Sequence, residues 1–128
     1  VNVQAVRLAL ERDLPAYFPG WDVTLSMWPA LNATKTVQIG HARTLGPDTF
    51  DSQTVDLPIT LWVKEANQTE AVNDMYQAIS YDTDTAVRRL VEARRVLQFT
   101  VEQVGRREEG PTGFIAADLL WIIQVADT

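Results

Sequence analysis

The run from Gly113 to Val125, GFIAADLLWIIQV, is the most apolar stretch of the chain and leaves little freedom in how the rest is arranged. As a strand it sends Ile115, Ala117, Leu119, Trp121, Ile123 and Val125 to one face. Ala116, Asp118, Leu120, Ile122 and Gln124 then point to the other. Both sets are largely apolar around the middle, which predicts an inner strand covered on at least part of both faces, with helices packed on the sheet. Periodicity alone also allows a short buried helix. The Ile, Val and Trp content, and the flanking Gly110, Pro111 and Gly113, favour the strand.

A sheet around this strand needs further strands, and the sequence supplies them. From Gln53 to Lys64, Val55, Leu57, Ile59, Leu61 and Val63 alternate strictly with Asp56, Pro58, Thr60, Trp62 and Lys64. Pro58 lacks an N–H, so this strand is expected to have an unpaired segment or to lie near an edge. Trp21 to Trp28 and Lys35 to Thr44 read as two earlier strands, the first broken by Trp28-Pro29-Ala30. The loop from Leu45 to Ser52 contains Gly46-Pro47-Asp48 and allows an antiparallel hairpin with a long tip. Val96 to Val104 is the next strand, and a turn from Gly105 to Gly113 joins it to the closing one as an antiparallel pair.

Two helical segments complete the pattern. Val3, Val6, Leu10 and Leu14 recur at helical spacing, widened by Ala5, Leu8 and Ala9. Gln4, Arg7, Glu11 and Arg12 fill the polar side, and Pro15 ends the helix. Tyr17, Phe18 and Trp21 are expected to lid its end. Asn67 and Glu70 form a capping box for a second helix, with Val72, Met75, Tyr76 and Ile79 inward. Tyr81-Asp82-Thr83-Asp84 interrupts it, and Thr83 or Asp84 can re-cap a continuation carrying Val87, Leu90 and Val91. One kinked helix and two helices fit equally well. The order α-β-β-β-α-β-β defines an α+β fold, a mixed, mostly antiparallel sheet of about five strands with helices on it. With 128 residues, one domain spanning 1–128 is expected.

Chemistry is sparse by comparison. Cysteine is absent, which removes disulfides and thiolate metal sites. The net charge of −6 is the wrong sign for a general nucleic-acid binder. No stretch reaches membrane-span length. Arg88-Arg89, Arg94-Arg95 and Arg106-Arg107 each have acids nearby, in Glu92, Glu102 and Glu108-Glu109, so salt-bridged faces explain them best. The single histidine, His41, shares a strand face with Val37 and Ile39 and reads as a satisfied or partly buried side chain. No nucleophile elbow, P-loop or dinucleotide fingerprint accompanies it. Asp74, Asp82 and Asp84 have oxygens for a hard cation but lack the glycine and further ligands of a calcium loop, so capping and turn roles fit them better. No catalytic, cofactor or metal residue is assigned. Among the tryptophans, Trp62 shares its face with Asp56, Thr60 and Lys64, which makes it a candidate subunit-contact residue.

The chain resembles the tail terminator proteins of long-tailed phages, especially those infecting actinobacteria. The likeness rests on the opening helix VQAVRLALERDLP, the WPAL break, the strand VDLPITLWV, the interrupted helix AVNDMYQAISYDTDTAVRRLVEA, and the closing pair VLQFTVEQV and FIAADLLWIIQV. It spans nearly the whole chain and is architectural. It implies a non-enzymatic virion protein with no cofactor, forming a ring, usually hexameric, on the last ring of the tail tube. Such a ring stops tube growth and meets the head–tail connector protein, while DNA passes through its lumen without specific binding. No membrane partner is implied. Subunit contacts are expected at Trp62, Arg88, Arg89, Arg106 and Arg107, and the loop from Leu45 to Ser52 is expected to dock on tube or connector. A head-completion or connector protein is the neighbouring reading. A small α+β enzyme or ligand-binding domain using His41 is the reading from a different class.

Overall fold

The computed structural model describes residues 3–25, 33–45, 52–64, 68–89, 95–109 and 112–126. Helix α1 (Val3–Asp13) opens the chain and tightens into a 3-10 turn over Leu14–Ala16, where Pro15 cannot supply the donor an α-helix requires. Strands β1 (Asp22–Thr24), β2 (Lys35–Ile39), β3 (Thr44–Leu45) and β4 (Ser52–Lys64) follow. Then come α2 (Gln68–Gln77), a π-helical segment (Ala78–Thr83), α3 (Asp84–Arg89), β5 (Arg95–Glu109) and β6 (Thr112–Ala126). The fold is α+β, as the element order predicts.

The sheet order is β1-β2-β4-β6-β5, with β3 pairing β4 on the same side as β2. β1 runs parallel to β2, and every other pairing is antiparallel. The apolar run that organises the chain is therefore an inner strand, between β4 and β5. Its face carrying Leu119, Trp121 and Ile123 joins Leu57, Ile59 and Leu61 in the main core. Val6, Leu10 and Leu14 of the first helical segment and Ala71, Met75, Ala78 and Ala86 of the second close that core. Each fully buried leucine or isoleucine there contributes about 1.5–3 kcal/mol. Phe18 and Trp21 do lid the helix end, with rings edge to face at 5.9 Å.

Among the described residues the helices pack on one face of the sheet, and the other face is covered in part, as the apolar pattern of the closing strand predicts. On the other face Asp118, Leu120 and Ile122 are half-buried, and the buried cluster is small: Trp62, Phe114 and Ala116.

The stretch from Lys35 to Thr44 is not one strand. Ile39 pairs with Ile59 and Thr44 with Asp56, so residues 40–43 stand opposite only 57–58. Pro58 is the cause. Gly40 N–H donates to Pro58 O at 2.9 Å, but the reciprocal bond of that pair needs an N–H that proline lacks. Pro58 thus marks a break in its neighbour, while β4 itself stays central. His41 falls in this break. It is exposed and outside any strand, not partly buried beside Val37 and Ile39.

The carbonyl that Pro58 leaves without a ladder donor is taken by Arg7. Its Nε donates to Gly40 O at 2.8 Å, and its terminal nitrogens donate to Ile39 O at 3.0 Å, Leu25 O at 2.9 Å and Gln4 Oε1 at 2.7 Å. Arg7 is consequently 3% exposed, although its charge suggests the polar side of α1. Leu8, expected in the apolar stripe, is half-exposed instead. The stripe is Val6, Arg7, Leu10 and Leu14, and Arg7 enters it at the i, i+3, i+7 spacing.

The second helical segment is continuous. Along it the buried positions are Ala71, Met75, Ala78, Thr83 and Ala86, and the wide step from 78 to 83 is the extra residue of a π turn. Thr83 Oγ1 donates to Ala78 O at 2.8 Å across that turn, so Thr83 is a buried bracket and not a cap. Asp84 is helical and pairs with Arg88, so it does not re-cap either. Tyr76, expected inward, is exposed, because Met75 and Ala78 take the inner positions. The capping box at Asn67 and most of the loop between Leu45 and Ser52 lie outside the described residues, as does most of the Trp21 to Trp28 strand beyond Leu25.

Candidate assembly surface

The edge strand β5 and the helix-free face of the sheet make up the surface that the core does not use. β5 is longer than the alternation of Val96 to Val104 suggests. It pairs with β6 from Arg95↔Gln124 to Glu109↔Thr112, so the expected long turn from Gly105 to Gly113 contracts to the two residues between those strands. Exposed charged positions Arg106 and Glu108 hid this continuation, since an edge strand open to water has no apolar alternation to show. Irregularities in pairing fall between Val96 and Gln98 and between Val101 and Gln103. Such bulges are common on edges, where they blunt indiscriminate pairing. Residues Thr100 to Val104 are exposed throughout, and Val101 and Val104 are each 40% exposed.

On the helix-free face, the side chains expected at subunit contacts partly satisfy one another. Trp62 is 7% exposed, so its indole is an internal element of this face. Phe114 meets it edge to face at 5.8 Å, Nε1 donates to Gln38 Oε1 at 3.0 Å, and the Arg107 guanidinium lies 5.5 Å from the ring centre. Arg107 is in turn bonded to Asp118, whose other oxygen accepts from Thr60 Oγ1 at 3.3 Å. Trp62 and Arg107 are thus brought together. Arg88 and Arg89 sit elsewhere, exposed at the end of α3, which packs against β5. Arg88 Nε reaches Asp84 Oδ2 at 2.8 Å. Arg106 is exposed on the opposite face of β5 from Arg107 and bonds Glu108 at 2.8 Å. Glu102 has a partner far from its own strand. It accepts from Arg43 at 2.7 Å, a bond that crosses from the β2–β3 break to β5 over β4 and β6. Arg94 and Glu92 lie outside the described residues.

Asp82, in the π segment, has its carboxyl pushed above the ordinary aspartate range by burial, and Lys35 opposes that shift. Lys35 also approaches Asp74 at 3.7 Å and lies 5.8 Å from the centre of the Trp21 ring. Asp74 and Asp84 are therefore engaged with Lys35 and Arg88. Among the described residues no group of three or more His, Asp or Glu side chains is placed to hold a metal ion. No helix of the described residues is long and apolar enough to cross a membrane.

Sequence reasoning missed two exposed features of the molecule. The outward tyrosines are one: Tyr76 and Tyr81 are 60% and 63% exposed. The π turn adds one residue, so their five-residue spacing places them on nearly the same outer stripe. The wide step between buried positions was the available signal. The Arg43–Glu102 bond is the other, and no local pattern encodes it.

No protein-family model matches the chain, and no curated protein matches it. A solved structure does. A chain from the virion of a native gene transfer agent particle superposes with a TM-score of 0.51 over 95% of this chain and 90% of that one. The sequences are 14% identical, so the likeness is one of fold.

Proposed function

We propose that this chain is a virion structural protein, a tail terminator that forms a ring on the end of the tail tube. In this reading the ring stops tube growth and joins the tail to the head connector. The carrying observation is the fold shared along 95% of the chain with a component of a gene transfer agent virion. The order of elements, with its WPAL break and closing pair of strands, supports the finer assignment within virion proteins.

Physical features agree with it. A closed ring of identical subunits needs a head-to-tail interface, and the chain has a long edge strand with arginines beside it. Arg88, Arg89 and Arg106 are the exposed contact residues in this proposal. Trp62 and Arg107 act from inside the face, by fixing its shape. A net charge of −6 suits a conduit for DNA, because like charge discourages phosphates from sticking. The partners are further copies of the chain, six in the usual ring, the tail tube protein and the head–tail connector protein.

Negative-stain electron microscopy and native mass measurement of the purified protein test this reading. Rings with a central hole, and a mass of several chains, are the expected result. A chain that stays single and fails to cap tail tubes overturns it. Normal assembly by a His41→Ala variant would also remove the histidine as a required group.

A further inference from the structure

The geometry points to the outer edge of β5, from Thr100 to Val104, as the place where a second copy of this chain docks in the ring. The inference rests on the ring reading above and names the contact that would close it.

Three observations carry it. The first is the position of this segment. β5 ends the sheet, with β6 on one side and no further strand on the other among the described residues. The second is composition. Edges that must remain in water are usually guarded by lysine or proline, or by charge directed outward. Here the stretch from Val96 to Val104 carries one charged residue, Glu102, and its carboxylate is bonded to Arg43. Val101 and Val104 stand 40% exposed on the side of the sheet where Leu57, Ile59 and Leu61 of β4 and Leu119 and Ile123 of β6 are buried. The apolar face therefore runs on past its helices to the edge.

The third observation is charge, and it selects the occupant. The chain carries −6 overall, so two copies repel unless they meet where that excess is absent. Around β5 the charges pair off as Arg43 with Glu102, Arg88 with Asp84, Arg106 with Glu108, and Arg107 with Asp118. Arg89 stands beside them at the end of α3. Among the described residues this side is thus balanced or slightly positive in an acidic molecule, and it suits the acidic surface of an identical neighbour. The bulge between Val101 and Gln103 limits regular pairing to a short run, which favours one register over indiscriminate strand addition.

The test compares the wild-type chain with a Val101→Lys/Val104→Lys variant by native mass and thermal melting. Both positions are exposed, so the variant is expected to fold with a circular dichroism spectrum like that of the parent. The expected result is a wild type that assembles and a variant that remains a single chain at the same concentration. A wild type that assembles with a variant that assembles equally well overturns the docking edge and leaves the ring reading standing. A wild type that never assembles overturns the ring reading itself. Hydrogen exchange of the wild type gives a second readout without substitution. Amides within 100–104 should gain at least tenfold protection in the assembled form over the dilute single chain, and unchanged exchange there overturns the inference.

Discussion

Replacing Arg7 with methionine tests how the fold tolerates a proline in the middle of its sheet. Methionine keeps the long unbranched stem but removes four hydrogen bonds, three of them to main-chain carbonyls. Gly40 O and Ile39 O then lose their charged donor, and Gly40 O has no ladder donor because residue 58 is proline. An unsatisfied buried carbonyl costs about 1–3 kcal/mol. Two of them, offset by no longer holding a buried charge, give a net loss of about 2–4 kcal/mol. For a chain of this size that lowers the melting midpoint by roughly 8–16 °C. Urea unfolding of the dilute chain measures the loss.

A second substitution isolates the cause. Pro58→Ala restores an N–H aimed at Gly40 O. With Arg7 present it should be neutral or cost about 0.4–1 kcal/mol, through the greater freedom of the unfolded chain. In the Arg7→Met background it should instead recover about 1 kcal/mol. The double-mutant cycle is therefore expected to show coupling above the roughly 0.3–0.5 kcal/mol scatter of independent sites. Strict additivity would refute the link between Arg7 and Pro58 through Gly40.

Two further substitutions probe the π segment. Thr83→Val keeps the shape of a fully buried side chain but removes the donor to Ala78 O, so a loss of about 1–2 kcal/mol in urea unfolding is expected; an unchanged midpoint would show that the hydroxyl does not bracket the π turn. Asp82 has a folded-state pKa above its unfolded value, so its contribution favours folding below the unfolded pKa and is lost as pH rises through the folded one. Asp82→Asn should accordingly melt higher than the parent at pH 7, with the advantage shrinking as pH falls through the raised folded-state pKa and nearly gone by about pH 4, the ordinary aspartate range; an advantage that grows on acidification would contradict the assigned burial.

The sheet was legible because strict alternation in β4 and the long apolar run of β6 leave one face for the core. The register of those two strands follows from Val55, Leu57, Ile59 and Leu61 meeting Ile123, Trp121, Leu119 and Ala117. What escaped the sequence depends on partners far along the chain. Arg7 looks like a surface residue until Gly40 O, 33 positions away, is seen to need a donor. The length of β5 escaped because an edge hairpin is solvated and its side chains need no periodic apolarity. Tyr76 faces solvent because the innermost row of α2 is Ala71, Met75 and Ala78, one residue off the row of Val72, Tyr76 and Ile79 that the apolar pattern also offers. For the candidate surface, residue types were informative and geometry was not. Trp62 was singled out as unusual, yet its ring is held by Phe114, Arg107 and Gln38 within the same chain.

The central claim is that identical copies of this chain close into a ring. Class averages of the purified protein by electron microscopy, taken with its native mass, measure that most directly. The account predicts rotationally symmetric rings with an open centre and a mass corresponding to the number of copies in the ring. A single chain at all concentrations, or a closed dimer as the end state, would contradict it.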